Sequence, residues 1–488
     1  MLLGLGVAAQ PIHAQEAPLF LAHYMPWYQA KPFRAYWGWH WTMGVFRPDE
    51  TDSSGYPEIA SHYHPLIGPY DSSDPAVLEY HALLMHIAGI DGVIVDWYGT
   101  STLYDYPVLN QATQDLFEVT EEIGLTFSIC YEDRTLKALV DAGRISAANA
   151  VTQAKVDMTF VRDEWTSSTN YLSLQNKPVI FNFGPVYLND YRDWEEAFTV
   201  FSEPPAFATL NNLMFQTGSG AYPWPPMDRS VAGVLSPESL NEYLTAFYAK
   251  GVDWPLRVGS AFPRFHDIYS QSGVSNSYGY LDARGGTTLR ETLAQALAAE
   301  VSIVQLVTWN DFGEGTVLEP TEEDGYYHLT IIQETVRSVR DLPFVSEDLE
   351  IPLVIYVQRR HTSSGTAIDL QLDQAVAFLM DGDAASARAT LDALSATDVE
   401  PLQISESLTL GPNPSDGTVT LFLETPVGGA VVVTAYDALG RQVAELANDW
   451  FSAGSHEVAW NAETVTPGVY FVRTTVGRAV VTKPVVIR

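Results

Sequence analysis

Val301-Ser302-Ile303-Val304-Gln305-Leu306-Val307 runs directly into Thr308-Trp309-Asn310-Asp311-Phe312-Gly313-Glu314-Gly315-Thr316. A short V/I/L-rich run of this kind reads as a strand covered on both faces, as in a parallel α/β sheet. Two acids, Asp311 and Glu314, stand three apart among glycines and aromatics, just where that strand leaves the core. In a (β/α)8 barrel, polar residues at the carboxyl end of a strand read as catalytic. Paired carboxylates flanked by Trp and Phe suit glycoside hydrolysis. One carboxyl protonates the leaving oxygen, the other acts as base or nucleophile, and flat apolar faces receive sugar rings. The competing reading is a helix start, with Asn310 or Asp311 as N-cap and Glu314 completing a capping box.

Upstream of this stretch, strand-like and helix-like segments alternate from Leu19 to about Arg340. Strands are expected at Leu19–Tyr28, Gly92–Tyr98, Thr126–Tyr131, Pro178–Phe183, Leu213–Thr217, Val231–Leu235, Leu256–Phe262 and Ser302–Trp309. Helical patterns lie between them at Pro75–Ala88, Leu109–Ile123, Ser146–Glu164, Pro237–Ala249 and Thr287–Ala299. Eight strands with helical crossovers predict a (β/α)8 TIM barrel with enlarged loops over 19–342. Helical spacing over Ile368–Leu394 predicts a small helical spacer or packing element within 343–402. From 403 to 488 the texture becomes short β-rich runs broken by Gly, Pro and Asn. Such alternation predicts an antiparallel β-sandwich.

Composition narrows the function. With 60 acidic against 26 basic residues the net charge is −34, which argues against nucleic acid or an anionic membrane as partner. The 12 Trp, 25 Tyr and 21 Phe fit a soluble protein that handles a neutral ligand with flat faces. Met1–Ala14, M-L-L-G-L-G-V-A-A-Q-P-I-H-A, reads as a secretory signal with an apolar stretch and small residues before a cleavage point near Ala14 or Gln15 (a signal peptide over 1–15). No other segment approaches the ~20 apolar residues of a membrane span. Cys130 is the single cysteine and, inside L-T-F-S-I-C-Y, reads as core.

Four other strand ends carry residues suited to a sugar cleft. Ala22-His23-Tyr24-Met25-Pro26-Trp27-Tyr28 leads into Tyr36-Trp37-Gly38-Trp39-His40-Trp41. Rings there stack on sugar C–H faces, and His and Tyr tips bond hydroxyls; Trp37 or Trp41 is expected to pack beneath the loop instead. Asp96-Trp97-Tyr98 ends the second strand, and an acid leaving a buried V-I-V run needs partners or water. It either orients a substrate hydroxyl or holds a neighbouring Arg or His. Glu132-Asp133-Arg134 reads as a sugar-binding Glu132 or as an internal salt-bridge cluster, and Arg264, His266 and Asp267 as cleft or surface loop. The spacings of His62 with His64, and of His81 with His86, match no zinc hydrolase pattern. The chain has no G-x-S-x-G elbow, P-loop or Rossmann glycine fingerprint. No metal and no cofactor are expected.

Residues 19 to 335 resemble the family 99 and 99-like glycoside hydrolases, which include endo-α-mannosidases. The marks are His23-Tyr24-Met25-Pro26-Trp27-Tyr28, Gly92-Val93-Ile94-Val95-Asp96-Trp97-Tyr98-Gly99, Lys177-Pro178-Val179-Ile180, and Trp309-Asn310-Asp311-Phe312-Gly313-Glu314-Gly315-Thr316 followed by Glu319-Pro320-Thr321. The resemblance implies that Asp311 takes the place of the carboxylate acting on the sugar 2-hydroxyl, and Glu314 that of the general acid/base. Family 99 endo-mannosidases have Glu at the position of Asp311 and Trp-His at that of Phe312-Gly313. The D-x-G-E form is more similar to the family 71 α-1,3-glucanases. Shortening Glu to Asp retracts the carboxylate by one methylene, roughly 1.5 Å, which separates direct 2-hydroxyl participation from activation of a water.

The last ~80 residues resemble the sorting domain of the Bacteroidetes-type type IX secretion system. The marks are Pro412-Asn413-Pro414, Asp437-Ala438-Leu439-Gly440-Arg441, Gly454-Ser455-His456 ahead of Trp460, and Pro467-Gly468-Val469-Tyr470-Phe471-Val472-Arg473. A generic carbohydrate-binding sandwich is the competing reading. The sorting-domain resemblance implies the type IX machinery as partner, and secretion or attachment at the bacterial surface. The leading expectation is a secreted glycoside hydrolase, endo-acting on an α-linked polysaccharide such as mannan or glucan. Glu314 and Asp311 would be catalytic. His23, Tyr24, Trp27, Tyr28, Trp39, His40, Asp96, Trp97, Tyr98, Glu132, Trp309 and Asn310 would bind substrate. A surface glycan-binding protein without catalysis and a glycan-processing transferase are the alternatives.

Overall fold

The computed structural model describes residues 17–397 and 408–488, except 53, 416, 426–428, 438–440, 452–453, 463–464 and 477–478. The expected leader and the turn at Ala438, Leu439 and Gly440 lie outside the described residues. Eight parallel strands close into a barrel: β1 (Leu19–Tyr24), β2 (Gly92–Trp97), β3 (Thr126–Tyr131), β4 (Lys177–Asn182), β5 (Ala206–Leu210), β6 (Gly220–Tyr222), β7 (Leu256–Ala261) and β8 (Ile303–Leu306). Sheet order runs β3-β2-β1-β8-β7-β6-β5-β4, and β4 pairs back on β3. Helices Pro75–Ala88, Tyr106–Ile123, Ala150–Glu164, Tyr191–Ala197, Pro237–Lys250, Thr287–Ala298 and Tyr327–Val339 surround it.

Strand side chains alternate between two cores. Leu21, Ile94, Phe181, Ala208, Val258 and Ile303 fill the interior. Phe20, Ala22, Val93, Val95, Ile129, Phe207 and Val304 pack outward under the helices. Registers keep like with like: His23 lies beside Ile94, Asp96 beside Cys130, and Cys130 beside Phe181. Polar residues on the inward phase therefore rise through the barrel toward its carboxyl-end mouth.

Two of the eight expected strands are elsewhere. Leu213–Thr217 and Val231–Leu235 are turns and extended loop, with Phe215 74%, Val231 79% and Val234 51% exposed. The barrel instead uses A-F-A-T-L and G-A-Y, which carry small inward residues and no apolar run. Gly220 is required there, because a Cβ would collide with the Leu256 carbonyl oxygen. The first strand also stops at Tyr24, short of Tyr28.

The expected spacer is part of the barrel's outer core. Helices Ile351–His361, Ala367–Met380 and Ala384–Thr397 bury Ile355, Leu372, Leu379 and Leu391 in the cluster that holds the outward barrel residues. Arg359 pairs with Glu79 at 3.0 Å and Asp373 at 2.7 Å, Arg360 pairs with Asp74, and His86 Nε2 lies 3.2 Å from the Leu379 carbonyl. The strands beyond residue 407 form antiparallel three- and four-stranded sheets around Val419, Leu421, Val431, Val433, Trp460, Tyr470 and Val472, a small sandwich. Among the described residues no helix is long and apolar enough to cross a membrane.

Alternation makes one correction decisive. Trp97 follows the inward Asp96 and so points outward, fully buried among Tyr131, Phe160 and Trp165, its indole N–H donating to Asn110 at 2.9 Å. Trp97→Ala is expected to cost about 3–5 kcal/mol. Trp39, 47% exposed, should cost within about 0.5 kcal/mol when changed to Ala. Thermal or urea unfolding of the two variants checks the contrast.

Candidate active site

At the carboxyl end of the barrel opens a cleft of about 800 Å³. His23, Trp27, Trp39, His40, Asp96, Tyr98, Glu132, Asp311 and Glu314 line it, together with Arg134, Phe183, Trp224, Asp228, Tyr269 and Tyr278. His23 and Asp96 arrive there on the inward phase of β1 and β2, and Glu132 at the exit of β3.

Asp311 and Glu314 sit on a turn with no helix behind it, since the next helix begins at Tyr327. The capping-box reading therefore fails, although Asp311 Oδ1 does accept the Glu314 N–H at 2.9 Å. Thr308 N donates to the Thr316 carbonyl at 2.7 Å, and Asp311 N donates to the Thr308 hydroxyl at 2.8 Å, closing the turn on itself. Asn310 staples it to the β1 loop: its amide oxygen accepts from Met25 N at 2.8 Å, and its amide nitrogen donates to the Met25 carbonyl and the Tyr70 hydroxyl, both at 3.0 Å. Tyr28 donates to the Asn310 carbonyl at 2.8 Å and accepts from Phe312 N at 3.1 Å. From the β7 side, His266 N donates to the Glu314 carbonyl at 2.8 Å, Ile268 N to the Gly313 carbonyl at 3.0 Å, and Arg264 Nε to the Gly315 carbonyl at 3.1 Å. Gly315 has φ +68°, and a Cβ there would come within 2.6 Å of the His266 carbonyl oxygen.

Burial sets the protonation pattern. Asp311 is lifted from 3.8 to about 6 by burial, opposed by the backbone N–H groups of Glu314 and Gly313. Glu314 is raised well above the ordinary carboxylate range, first by burial and then by the Asp311 charge, against a hydrogen bond from Trp224. The two carboxyls thus differ in environment: Asp311 is held by N–H donors, while Glu314 keeps an oxygen, Oε2, without a hydrogen-bond partner. Glu132 rises to about 7 through burial, opposed by Arg134, whose Nε lies 2.9 Å away. Burial and the neighbouring Glu132 push Asp96 well up. Burial lowers His23 and His40 to about 3, leaving both neutral. Gln305 faces His23 Nδ1 at 3.0 Å, while His23 Nε2 and Asp96 Oδ1 have no hydrogen-bond partner. Buried polar atoms in that condition cost free energy until a ligand supplies the bond.

Five residues expected to bind substrate lie elsewhere. Tyr24 and Trp97 fall on the outward phase of their strands; Tyr24 reaches His81 Nδ1 at 3.0 Å. Trp309 is fully buried against His81. Tyr28 and Asn310 are buried behind the turn that carries Asp311 and Glu314, and hold it. Asp133 likewise leaves the expected salt-bridge cluster, accepting the N–H groups of Val186, Tyr187 and Leu188. Arg264 sits over the Tyr63 ring and pairs with Asp324 at 2.6 Å. Trp224 lies just past β6, a strand that apolar periodicity does not reveal; the signal in the sequence is a Trp between prolines directly after G-A-Y. His23, Asp96 and Cys130 each offer one donor atom, all within 4.8 Å of one another. These are the described residues that could hold a metal ion, and they come from three strands, beyond the reach of any sequence spacing.

Residues 410–488 match the family described as secretion system C-terminal sorting domain. The chain therefore carries such a domain and is secreted or attached at the outer-membrane surface, with the type IX machinery implied as its exporter. The GH99 endo-α-mannosidase from Bacteroides thetaiotaomicron, solved with bis-tris-propane, is similar at 17% identity and TM-score 0.50, over 67% of this chain and 98% of that one. A second structure of that enzyme gives 16%, 0.49, 67% and 99%. A protein described as glycoside hydrolase-like gives 14%, 0.47, 68% and 97%. No curated protein matches the sequence. At such identities the likeness speaks to the barrel fold.

The staple has a measurable consequence. Asn310→Ala leaves the buried N–H and carbonyl of Met25 without their partners, at about 1–3 kcal/mol each, while Tyr70 keeps its hydrogen bond to Glu319 at 2.6 Å, and it frees the turn that carries both acids. The expected outcome is a lower melting temperature than the wild type, read by calorimetry.

Proposed function

We propose that the protein is a secreted glycoside hydrolase, endo-acting on an α-linked polysaccharide of mannan or glucan type. The observation that carries this reading is the pair of buried acids on one clamped turn at the mouth of the barrel, Asp311 accepting the Glu314 N–H and Glu314 keeping an oxygen without a partner. Glu314, held above the ordinary carboxylate range by burial and the Asp311 charge, would donate its proton to the leaving glycosidic oxygen. Asp311, ionised above about pH 6, would act as base. Separating two carboxyl pKa values by environment is how one site runs acid and base chemistry together. Neutral His23 and the unpartnered oxygen of Asp96 are suited to sugar hydroxyls. The rings of Trp27, Trp39 and Tyr98 suit sugar faces. Export fits hydrolysis of an external polymer and disfavours transfer from an activated sugar donor, which is not supplied outside the cell.

The test begins with purified protein on a panel of α- and β-linked polysaccharides with product sizing, then turns to the acids. Glu314→Gln should abolish polymer turnover while sparing binding, and a substrate with a good leaving group should recover part of the rate because its departure needs little protonation. Asp311→Asn should disable both substrates. Near wild-type rates in both variants would sink the assignment.

The pH profile is a separate check. Because Asp311 must be ionised, kcat/KM should fall about tenfold per pH unit below about 6. Because burial and the Asp311 charge raise Glu314 above the ordinary carboxylate range, the alkaline limb should lie above that of an exposed glutamate. An acid limb centred near pH 4 would show that Asp311 is not the base.

A further inference from the structure

One wall of the cleft is a continuous succession of rings. Trp39 meets His40 edge-on at 4.9 Å, and His40 stacks on Trp27 at 4.2 Å with the planes 7° apart. Trp27 meets Tyr98 at 6.5 Å, Tyr98 meets Tyr106 at 5.4 Å, and Tyr106 meets Tyr104 at 5.7 Å. The first four of these residues line the cleft. Tyr106 is buried at the first turn of its helix, and Tyr104 stands outside at 73% exposure.

Tyr104 is anomalous on two counts. Its backbone adopts φ +49°, a left-handed conformation that a bulky residue rarely takes and that glycine or asparagine would occupy with less strain. Its ring buries little, so the fold gains almost nothing from an aromatic at that position. Strain and exposure combined in the residue whose ring carries this succession beyond the cleft lining, one ring past Tyr106, point to a function outside the fold. Asp105 secures the turn by accepting from Gln29 Nε2 at 3.2 Å, which ties the segment carrying Tyr104 to the same β1 loop that supplies Trp27.

We infer that Tyr104 is the outer platform of a sugar-binding track, a remote subsite for a saccharide residue of a long polysaccharide chain whose reacting part lies at the acids. The inference rests on the glycan-directed reading above and adds to it that the substrate is a polymer gripped well away from the bond that breaks. Rings face sugars through their C–H surfaces without demanding a particular hydroxyl pattern, so the track selects chain length more than sugar identity.

The test uses the full chain and a readout independent of hydrolysis. Native electrophoresis through gels containing yeast α-mannan or dextran should retard the wild type in at least one polymer. Tyr104→Ala should weaken that retardation about three- to tenfold in apparent affinity, with an unchanged melting temperature, while Tyr104→Phe retains it. On any polymer that the wild type cleaves, the loss should appear in KM and be confined to long chains, sparing oligosaccharides too short to reach the rim. Retardation without cleavage would support the track while removing the hydrolase reading. Equal retardation of Tyr104→Ala and the wild type, or none of the wild type in either gel, would overturn the inference.

Discussion

Closure of eight parallel strands imposes a two-residue alternation on every residue near the mouth, and the rest of the molecule follows from it. Once β4 pairs back on β3 there is no free edge, and each strand residue faces either the interior or the helices. His23 and Asp96 fall on the inner phase and Tyr24 and Trp97 on the outer. Adjacent residues therefore divide into cleft-facing and core-building positions. The same constraint explains why the short strands β5 and β6 carry Ala206, Ala208 and Gly220 on the inner phase: the interior is filled by Phe181 of β4 and by Tyr222 at the end of β6 itself.

Placing carboxyls at the end of such a barrel has an energetic consequence. Moving Asp311 from 3.8 to about 6 corresponds to about 3 kcal/mol of preference against its charge. The fold opposes that preference with two backbone N–H groups, whereas at Glu314 a hydrogen bond from Trp224 and the Arg134 charge stand against burial and the Asp311 charge. The asymmetry arises from the turn itself, because the N–H of Glu314 points at Asp311 and not the reverse. Asn310, Tyr28 and Arg264 hold that turn from three directions, so the difference between the acids depends on residues that never face the cleft.

Outside the barrel, two additions serve different ends. The three helices over 351–397 enlarge the outer core and are bound by ion pairs of Arg359 and Arg360 that reach Glu79 and Asp74 on one barrel helix. The sandwich has its own core around Trp460 and Val472 and carries the sorting function. A net charge of −34 is spread over a molecule whose cleft contains five carboxylates, Asp96, Glu132, Asp228, Asp311 and Glu314, and a single arginine, Arg134. That balance favours a neutral ligand over an anionic one.

Periodicity and composition by themselves determined the barrel, six of its eight strands, the sandwich, and the turn holding Asp311 and Glu314. These are local signals: apolar runs, helical spacing, and acids among glycines at a strand exit. Sequence could not separate Tyr24 from His23 or Trp97 from Asp96, because the phase of a strand is set by the register with its neighbours. It could not find β5 and β6, whose small residues make sense only against the bulk opposite them. Nor could it show Asn310 and Tyr28 as supports, since their partners lie up to 285 residues away in sequence. Only the tertiary structure decided these points, through closure, register and long-range hydrogen bonding, which are properties of packed neighbours and of no single segment.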